Sequence, residues 1–156
     1  MVTPTIHEAL NAWRAAERRW ESTNPDDPTY RTASIAVISG WLTYQAIAEP
    51  SEPGSFVLVV DEDQRYVAVG DGVKDVLGYE PRELLGKTIA DIAPPDLAAT
   101  TPIQWQQFLA DGRQDGEFRL VASDGHEVRL RFQARAHYPI AGYHLSRLRG
   151  VAAPVS

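Results

Sequence analysis

Hydrophobic positions recur along this chain with two periods, and the change between them falls near residue 50. In the first stretch Ile6, Ala9, Leu10, Trp13, Ala16 and Trp20 repeat at three- and four-residue spacing, the period of one helix face. Thr5-Ile6-His7-Glu8 opens the stripe with the form of a capping box, the threonine hydroxyl accepting from the Glu8 amide while Glu8 reaches back. Asn24-Pro25-Asp26-Asp27-Pro28 breaks the helix. A second one is predicted over 28–48, with Asp27 as N-cap and Pro28 at the first helical position, where no amide donor is needed. It carries two adjacent stripes: Tyr30, Ala33, Val37, Trp41, Tyr44 and Ala48, then Ile35, Ile38, Leu42 and Ala46. One stripe suffices to pack on the first helix, so two imply burial on more than one side. The extra side must meet the following domain or another copy of the chain. The expectation is an N-terminal helical hairpin over 1–50 and a homodimer seam that includes Trp13, Trp20, Val37, Trp41 and Tyr44, since large aromatics dominate buried interfaces.

Pro50-Ser51-Glu52-Pro53-Gly54-Ser55 has the composition of a linker. Beyond it, short strands are predicted over 56–60 and 65–69, and helices over 72–77, 81–85, 95–99 and 102–110, with Asp111-Gly112 closing the last. A Ser123-Asp124-Gly125 turn joins strands over 117–122 and 126–137, and a fifth strand follows over 143–149. The strand after His126 is the clearest: Val128, Leu130, Phe132, Ala134 and Ala136 alternate with Glu127, Arg129, Arg131, Gln133 and Arg135. Its even-numbered residues must line a core or a pocket, and its arginines a solvated sheet face. The pattern defines an α+β domain over 56–151 and a short tail over 152–156.

Composition narrows the chemistry. The 156 residues contain no cysteine, which removes disulfides, thiol nucleophiles, cysteine zinc sites and cysteinyl-flavin photochemistry. The net charge of −6 argues against a nucleic-acid partner. That charge is uneven, with 11 acidic and 5 basic residues over 56–116 but 3 acidic and 6 basic over 117–156. The N-terminal MVTPTIHEAL lacks the basic and apolar regions of a signal peptide, and no apolar run approaches a membrane span. A cytoplasmic protein with no membrane partner is the default expectation.

Leu77-Gly78-Tyr79, the Glu80-Pro81-Arg82-Glu83-Leu84-Leu85-Gly86-Lys87 segment and Ile89-Ala90-Asp91-Ile92, set between a short strand pair and a three-strand finish, resemble a PAS domain. The resemblance implies a five-stranded antiparallel sheet with short helices packed on one face. It implies a sensory or interaction role rather than catalysis, and a pocket that in some family members holds haem, flavin, fatty acids or small acids. Gly70 departs from the asparagine that often ends the second strand, and Leu148-Arg149-Gly150-Val151 replaces the usual output signature. The output is therefore expected from a separate protein or from the hairpin.

A ligand is expected between the sheet face (Val67 or its neighbours, Leu120, Phe132, Ala134, His144) and the lid helices (Leu77, Ile92, Trp105, Phe108). Its identity is unknown. His144, with Ser146 and Leu148, should face inward on strand parity, which leaves Tyr143 and Leu145 on the wet face with Arg147 and Arg149, while His137 should face outward with the arginines of the preceding strand. His144 reads as a core histidine satisfied by a neighbour, or as a ligand-orienting residue. Haem is not the expectation, because PIQWQQFLA over 102–110 has no histidine, although His144 stands as an alternative ligand to it. The acidic turn at Asp61, Glu62 and Asp63 lacks the spacing of a calcium loop, and no metal site, phosphate loop, dinucleotide fingerprint or nucleophile elbow is present. The alternative to a sensor is a ligand-free scaffold for protein–protein contact.

Overall fold

The computed structural model describes residues 4–48, 54–138 and 140–151. The chain divides into two compact units, Met1–Ser51 and Glu52–Ser156. The first is a pair of helices, α1 (Ile6–Glu21) and α2 (Tyr30–Ala48). Thr5 caps α1 by accepting from the Glu8 amide at 3.2 Å, and the Glu8 carboxylate accepts from the same hydroxyl, so the box closes on the side chain instead of the backbone. α2 starts two residues later than the proline pattern predicts. The Asp27 carboxylate is already occupied by the amide and hydroxyl of Thr29, at 2.8 and 2.7 Å, which leaves Pro28 in the turn ahead of the helix. The helices touch at Gly40, where a Cβ would stand 3.0 Å from the Trp13 Cα. Trp13 lies on Tyr44 with ring centroids 5.4 Å apart, and Trp20 lies on Tyr30 at 6.1 Å.

In the second unit the strands β1 (Ser55–Asp61), β2 (Tyr66–Val69), β3 (Arg113–Val121), β4 (Glu127–Arg135) and β5 (Tyr143–Gly150) form one antiparallel sheet in the order β2-β1-β5-β4-β3. Between β2 and β3 the chain makes four helices: α3 (Val73–Leu77), α4 (Pro81–Leu84), α5 (Ile89–Ile92) and α6 (Pro95–Asp111). They cover one sheet face, and the core joins Phe56, Leu58, Tyr66, Leu120, Leu130 and Leu148 of the sheet to Val73, Leu77, Leu84 and Ile92 of the helices. This is the α+β architecture expected.

Four local expectations are corrected. The segments 95–99 and 102–110 are one helix, with Pro102 inside it. Leu97, Thr101, Trp105 and Phe108 repeat along one side of it across the proline, and burying that stripe outweighs the lost amide bond. α5 was not among the predicted helices; Thr88 and Asp91 cap it reciprocally, at 3.3 and 2.8 Å. β3 begins four residues before the predicted 117, because Gly112 takes the left-handed turn (φ 77°) and Asp115-Gly116 continues as strand. Finally, Tyr143 and Leu145 are buried rather than wet, although they alternate with the inward side chains of β5.

Gly72 sets how closely α3 approaches the sheet: a Cβ there would lie 2.1 Å from the Ser55 carbonyl oxygen. Gly112 has open space around it and only the positive φ to satisfy. Gly72→Ala should therefore cost at least about 2–3 kcal/mol, as overpacking against backbone does, while Gly112→Ala should cost about 1–2 kcal/mol. Urea unfolding of the two variants measures the difference, and equal losses would contradict the steric account.

Candidate functional site: a cavity under helix α6

Two small residues, Ala134 and Ser146, sit side by side across the middle of the sheet, flanked by Gln114 and Leu58. Gln114 of β3 pairs with Ala134 of β4, Ala134 with Ser146 of β5, and Ser146 with Leu58 of β1. All point toward the helices, and their small volume leaves a hollow that Trp105 and Phe108 of α6 roof without filling. The cavity measures about 100 Å³. Val60, Tyr66, Ile89, Phe118, Leu120, Phe132 and Leu148 supply apolar wall; Thr101, Gln104, Gln114, Ser146 and His144 supply polar atoms. The lining contains no lysine or arginine. The Thr101 hydroxyl donates to the Leu97 carbonyl at 2.8 Å, whereas the side chains of Gln104, Gln114 and Ser146 have no hydrogen-bond partner among the described residues. Burial, with Asp91 nearby, holds the Tyr66 phenol well above its usual range, so it remains neutral.

His144 closes one end. It is 2% exposed, and its ring stands edge-on to Trp105 (5.1 Å) and Phe108 (5.9 Å). Its Nδ1 accepts the backbone N–H of His137 at 3.0 Å, and its Nε2 lies 2.9 Å from Glu62 Oε1 in the β1–β2 turn. An accepting Nδ1 in a neutral ring leaves the proton on Nε2, so Nε2 donates to the Glu62 carboxylate. Burial pushes the imidazole pKa below its ordinary 6.5; Glu62 pulls it back up, and His137 opposes that pull.

His137 departs from its predicted outward strand position. β4 ends at Arg135, His137 adopts a left-handed φ of 54°, and its exposed ring turns to within 4.8 Å of the His144 ring. Its Nδ1 accepts from the Gly142 amide at 3.0 Å. Glu62, His137 and His144 thus bring ligand-type atoms within 4.8 Å of one another, a grouping the sequence did not reveal. The bonding argues against a metal ion there. Both Nδ1 atoms accept backbone N–H groups, so each neutral ring keeps a proton on Nε2, the lone pair a cation would need. The cluster is a hydrogen-bonded clasp that ties the β1–β2 turn to the β4–β5 connection. Haem fits no better: both nitrogens of His144 are engaged, and the cavity is far smaller than a porphyrin.

Of the residues expected around a ligand, Trp105, Phe108, Leu120, Phe132, Ala134 and His144 line this cavity. Leu77 and Ile92 belong to the packed core and do not line it. Tyr66, not its neighbour Val67, provides the β2 wall. Gln104, Gln114 and Thr101 were not anticipated. Gln114 falls in the part of β3 ahead of its predicted start at 117, and Thr101 and Gln104 flank the proline that had split α6 in two. Trp13 and Trp20, expected at a dimer seam, spend their rings on Tyr44 and Tyr30 within the hairpin, and their indole N–H groups are buried without a partner among the described residues; Val37 and Trp41 are buried as well.

The family described as the PAS fold matches residues 54–147, more than half of the chain, and the protein belongs to that family. No curated protein matches it. Among solved structures, the PAS domain of a protein from Colwellia psychrerythraea superposes with a TM-score of 0.55 at 18% identity, covering 62% of this chain and 86% of its own. The PAS domain of the Cronobacter turicensis RpfR quorum-sensing receptor, in complex with BDSF, superposes with a TM-score of 0.55 at 14% identity, covering 65% of this chain and 98% of its own. At these identities the likeness is one of fold. Among the described residues, no helix is long and apolar enough to cross a membrane.

The clasp makes stability depend on pH in a definite direction. A histidine whose folded pKa lies below its unfolded value binds fewer protons in the folded state, so stability is full above about pH 6.5 and is lost as pH falls through the window below it. Because Glu62 holds the folded pKa up, Glu62→Gln keeps an acceptor for Nε2 but should widen that window. The loss of stability between pH 7.5 and 5.5, measured by urea unfolding, should be larger in Glu62→Gln than in the parent. A smaller loss would mean that Glu62 does not hold the His144 pKa up in the folded protein.

Proposed function

We propose that the PAS unit is a sensory module that takes a small, uncharged, hydrogen-bonding molecule into the cavity under α6, and that the protein acts by binding rather than by catalysis. The observation that carries this reading is the pairing of an apolar chamber with polar side chains lacking protein partners, Gln104, Gln114 and Ser146, and with no cation in the lining. Gln114 and Ser146 are half-buried and Gln104 is exposed at the mouth, so their unbonded donors and acceptors are available to a ligand's own polar groups. A carboxylate would enter without a cationic partner and with the Glu62 charge behind His144, whereas a neutral head group would not pay that desolvation cost. A volume of about 100 Å³ suits something the size of one ring; a dry cavity of ~150 Å³ accommodates benzene. The Cronobacter domain in complex with BDSF supports a small-molecule role for this fold. No hydrogen bond joins Ser146 to His144 among the described residues, so a nucleophile–base pair has no support here.

Benzamide and benzoate, alike in shape and different in charge, separate the elements of this reading. In NMR titrations that follow the indole N–H of Trp105, benzamide should give saturable shifts, with benzoate at least tenfold weaker. Ala134→Leu, which fills the hollow, should abolish both responses without lowering stability by more than about 1–2 kcal/mol. Tighter binding of benzoate would overturn the neutral head group. No response to either probe, together with no retained mass in native mass spectrometry, would overturn the sensing role and leave the ligand-free scaffold.

We further propose that the hairpin is a homodimerisation element. The two apolar stripes of α2 support this, since Ile35 and Leu42 belong to the stripe that the α1 contacts at Trp13, Gly40 and Tyr44 do not use, and both remain only partly buried. Sedimentation equilibrium should find a dimer that Ile35→Glu combined with Leu42→Glu converts to a folded monomer. A dimer that survives both charges would place its seam elsewhere.

A further inference from the structure

The outer face of β3, β4 and β5 carries a strip of arginines, six of which make no ion pair among the described residues. The odd-numbered residues of these strands point away from the helices, and among them are Arg113, Arg129, Arg131, Arg135, Arg147 and Arg149, all exposed. Register sets like charges side by side. Arg131 lies directly opposite Arg149 on one side and Glu117 on the other, and Arg113 lies directly opposite Arg135. Like-charged pairs weaken a sheet. Among the described residues none of these six arginines joins an ion pair, and only Arg135 finds a neighbour, the Tyr138 ring at 4.7 Å. By contrast Arg119, on the edge strand, is bridged by both Glu127 and Asp96. The same face carries only Asp115, Glu117 and Glu127 as carboxylates, on a chain whose net charge is −6.

We propose that this strip is a docking surface for an acidic helix of a partner protein. Guanidinium groups form forked pairs with carboxylates and are favoured where charge is desolvated at an interface. β3 and β4 carry the strip over four rows of residues and β5 over two, at Arg147 and Arg149, so that it is about 10 Å wide and about 20 Å long, which matches one α-helix of about 14 residues. A nucleic-acid backbone is disfavoured because the rest of the chain is more acidic than the net charge suggests, and its field would repel any phosphate beyond the strip. This inference does not depend on the cavity or its ligand.

The test uses the full chain and a fluorescein-labelled 14-residue alanine-based peptide with glutamates along one helical face. Fluorescence anisotropy should show saturable binding at 50 mM salt that weakens at 300 mM. Arg149→Glu should lower the affinity at least tenfold while leaving the melting temperature unchanged or raised, because it gives Arg131 a carboxylate directly opposite. Arg147→Gln with Arg149→Gln, a change that adds no new charge, should weaken binding severalfold. Arg82→Glu, on the exposed side of α4, should alter affinity less than twofold. Absence of binding, equal affinity in Arg149→Glu, or tighter binding of a 14-base-pair DNA duplex would overturn the proposal. So would self-association of the parent that Arg149→Glu removes without peptide, which would put a second copy of the chain on the strip.

Discussion

The last strand of the domain has to enter the middle of its sheet, and the register it takes there determines nearly everything else. β5 pairs with β1 along seven residues and with β4 along six, so it cannot slip on one side without breaking the other. That lock places Ser146 beside Ala134 and so creates the hollow. It sets His144 opposite Val60, within reach of the Glu62 carboxylate just past the end of β1. On the opposite face it brings Arg149 against Arg131. A slip of one residue would exchange the cavity wall for the arginine strip.

The lock also explains why a clasp of polar groups is tolerated in the interior. His144 is surrounded by the rings of Trp105, Phe108 and His137, yet both of its nitrogens are bonded, one to backbone and one to a carboxylate at the surface. A buried polar side chain is costly only when a partner is missing. The left-handed turn at His137 supplies the backbone N–H, and the Gly142 amide in turn bonds the His137 ring. The rim of the cavity is thus held by two connections, the β1–β2 turn and the β4–β5 loop, meeting at one imidazole.

How far the sequence revealed this depended on whether the signal was local. β4 was legible because five apolar and five polar residues alternate without interruption, and the inward parity of His144 followed from the same alternation in β5. The turn glycines and the Thr5 cap of the hairpin were legible because their chemistry acts within four residues. What escaped was decided by packing at a distance. Pro102 remains helical because Trp105 and Phe108 on one side of it and Leu97 on the other bury the same face. Gln114 reaches the cavity because β4 offers it a partner strand ahead of the predicted start of β3 at 117. Leu77 and Ile92 are as apolar as Trp105, and nothing in their neighbours tells a core position from a pocket wall; only the volumes of Ala134 and Ser146 across the sheet make that distinction.

The two faces of β3, β4 and β5 are chemically opposite, and they are connected at single-residue spacing. Ser146 touches the cavity and Arg147 the basic strip; Ala134 lines the hollow and Arg135 stands outside it. A pleated strand is too thin to move one side chain and leave its neighbour in place. Any ligand that spreads α6 from the sheet or draws Ser146 toward it must therefore shift the spacing of the arginines behind. Such a shift carries information only if the occupied and empty sheets differ in their affinity for whatever binds the strip. The like-charged pairs make that difference plausible on energetic grounds, since Coulomb repulsion between Arg131 and Arg149 changes with small displacements while the apolar contacts of the inner face change little. The sheet is then the coupling element, and neither face needs to touch the other's ligand for the two to be linked.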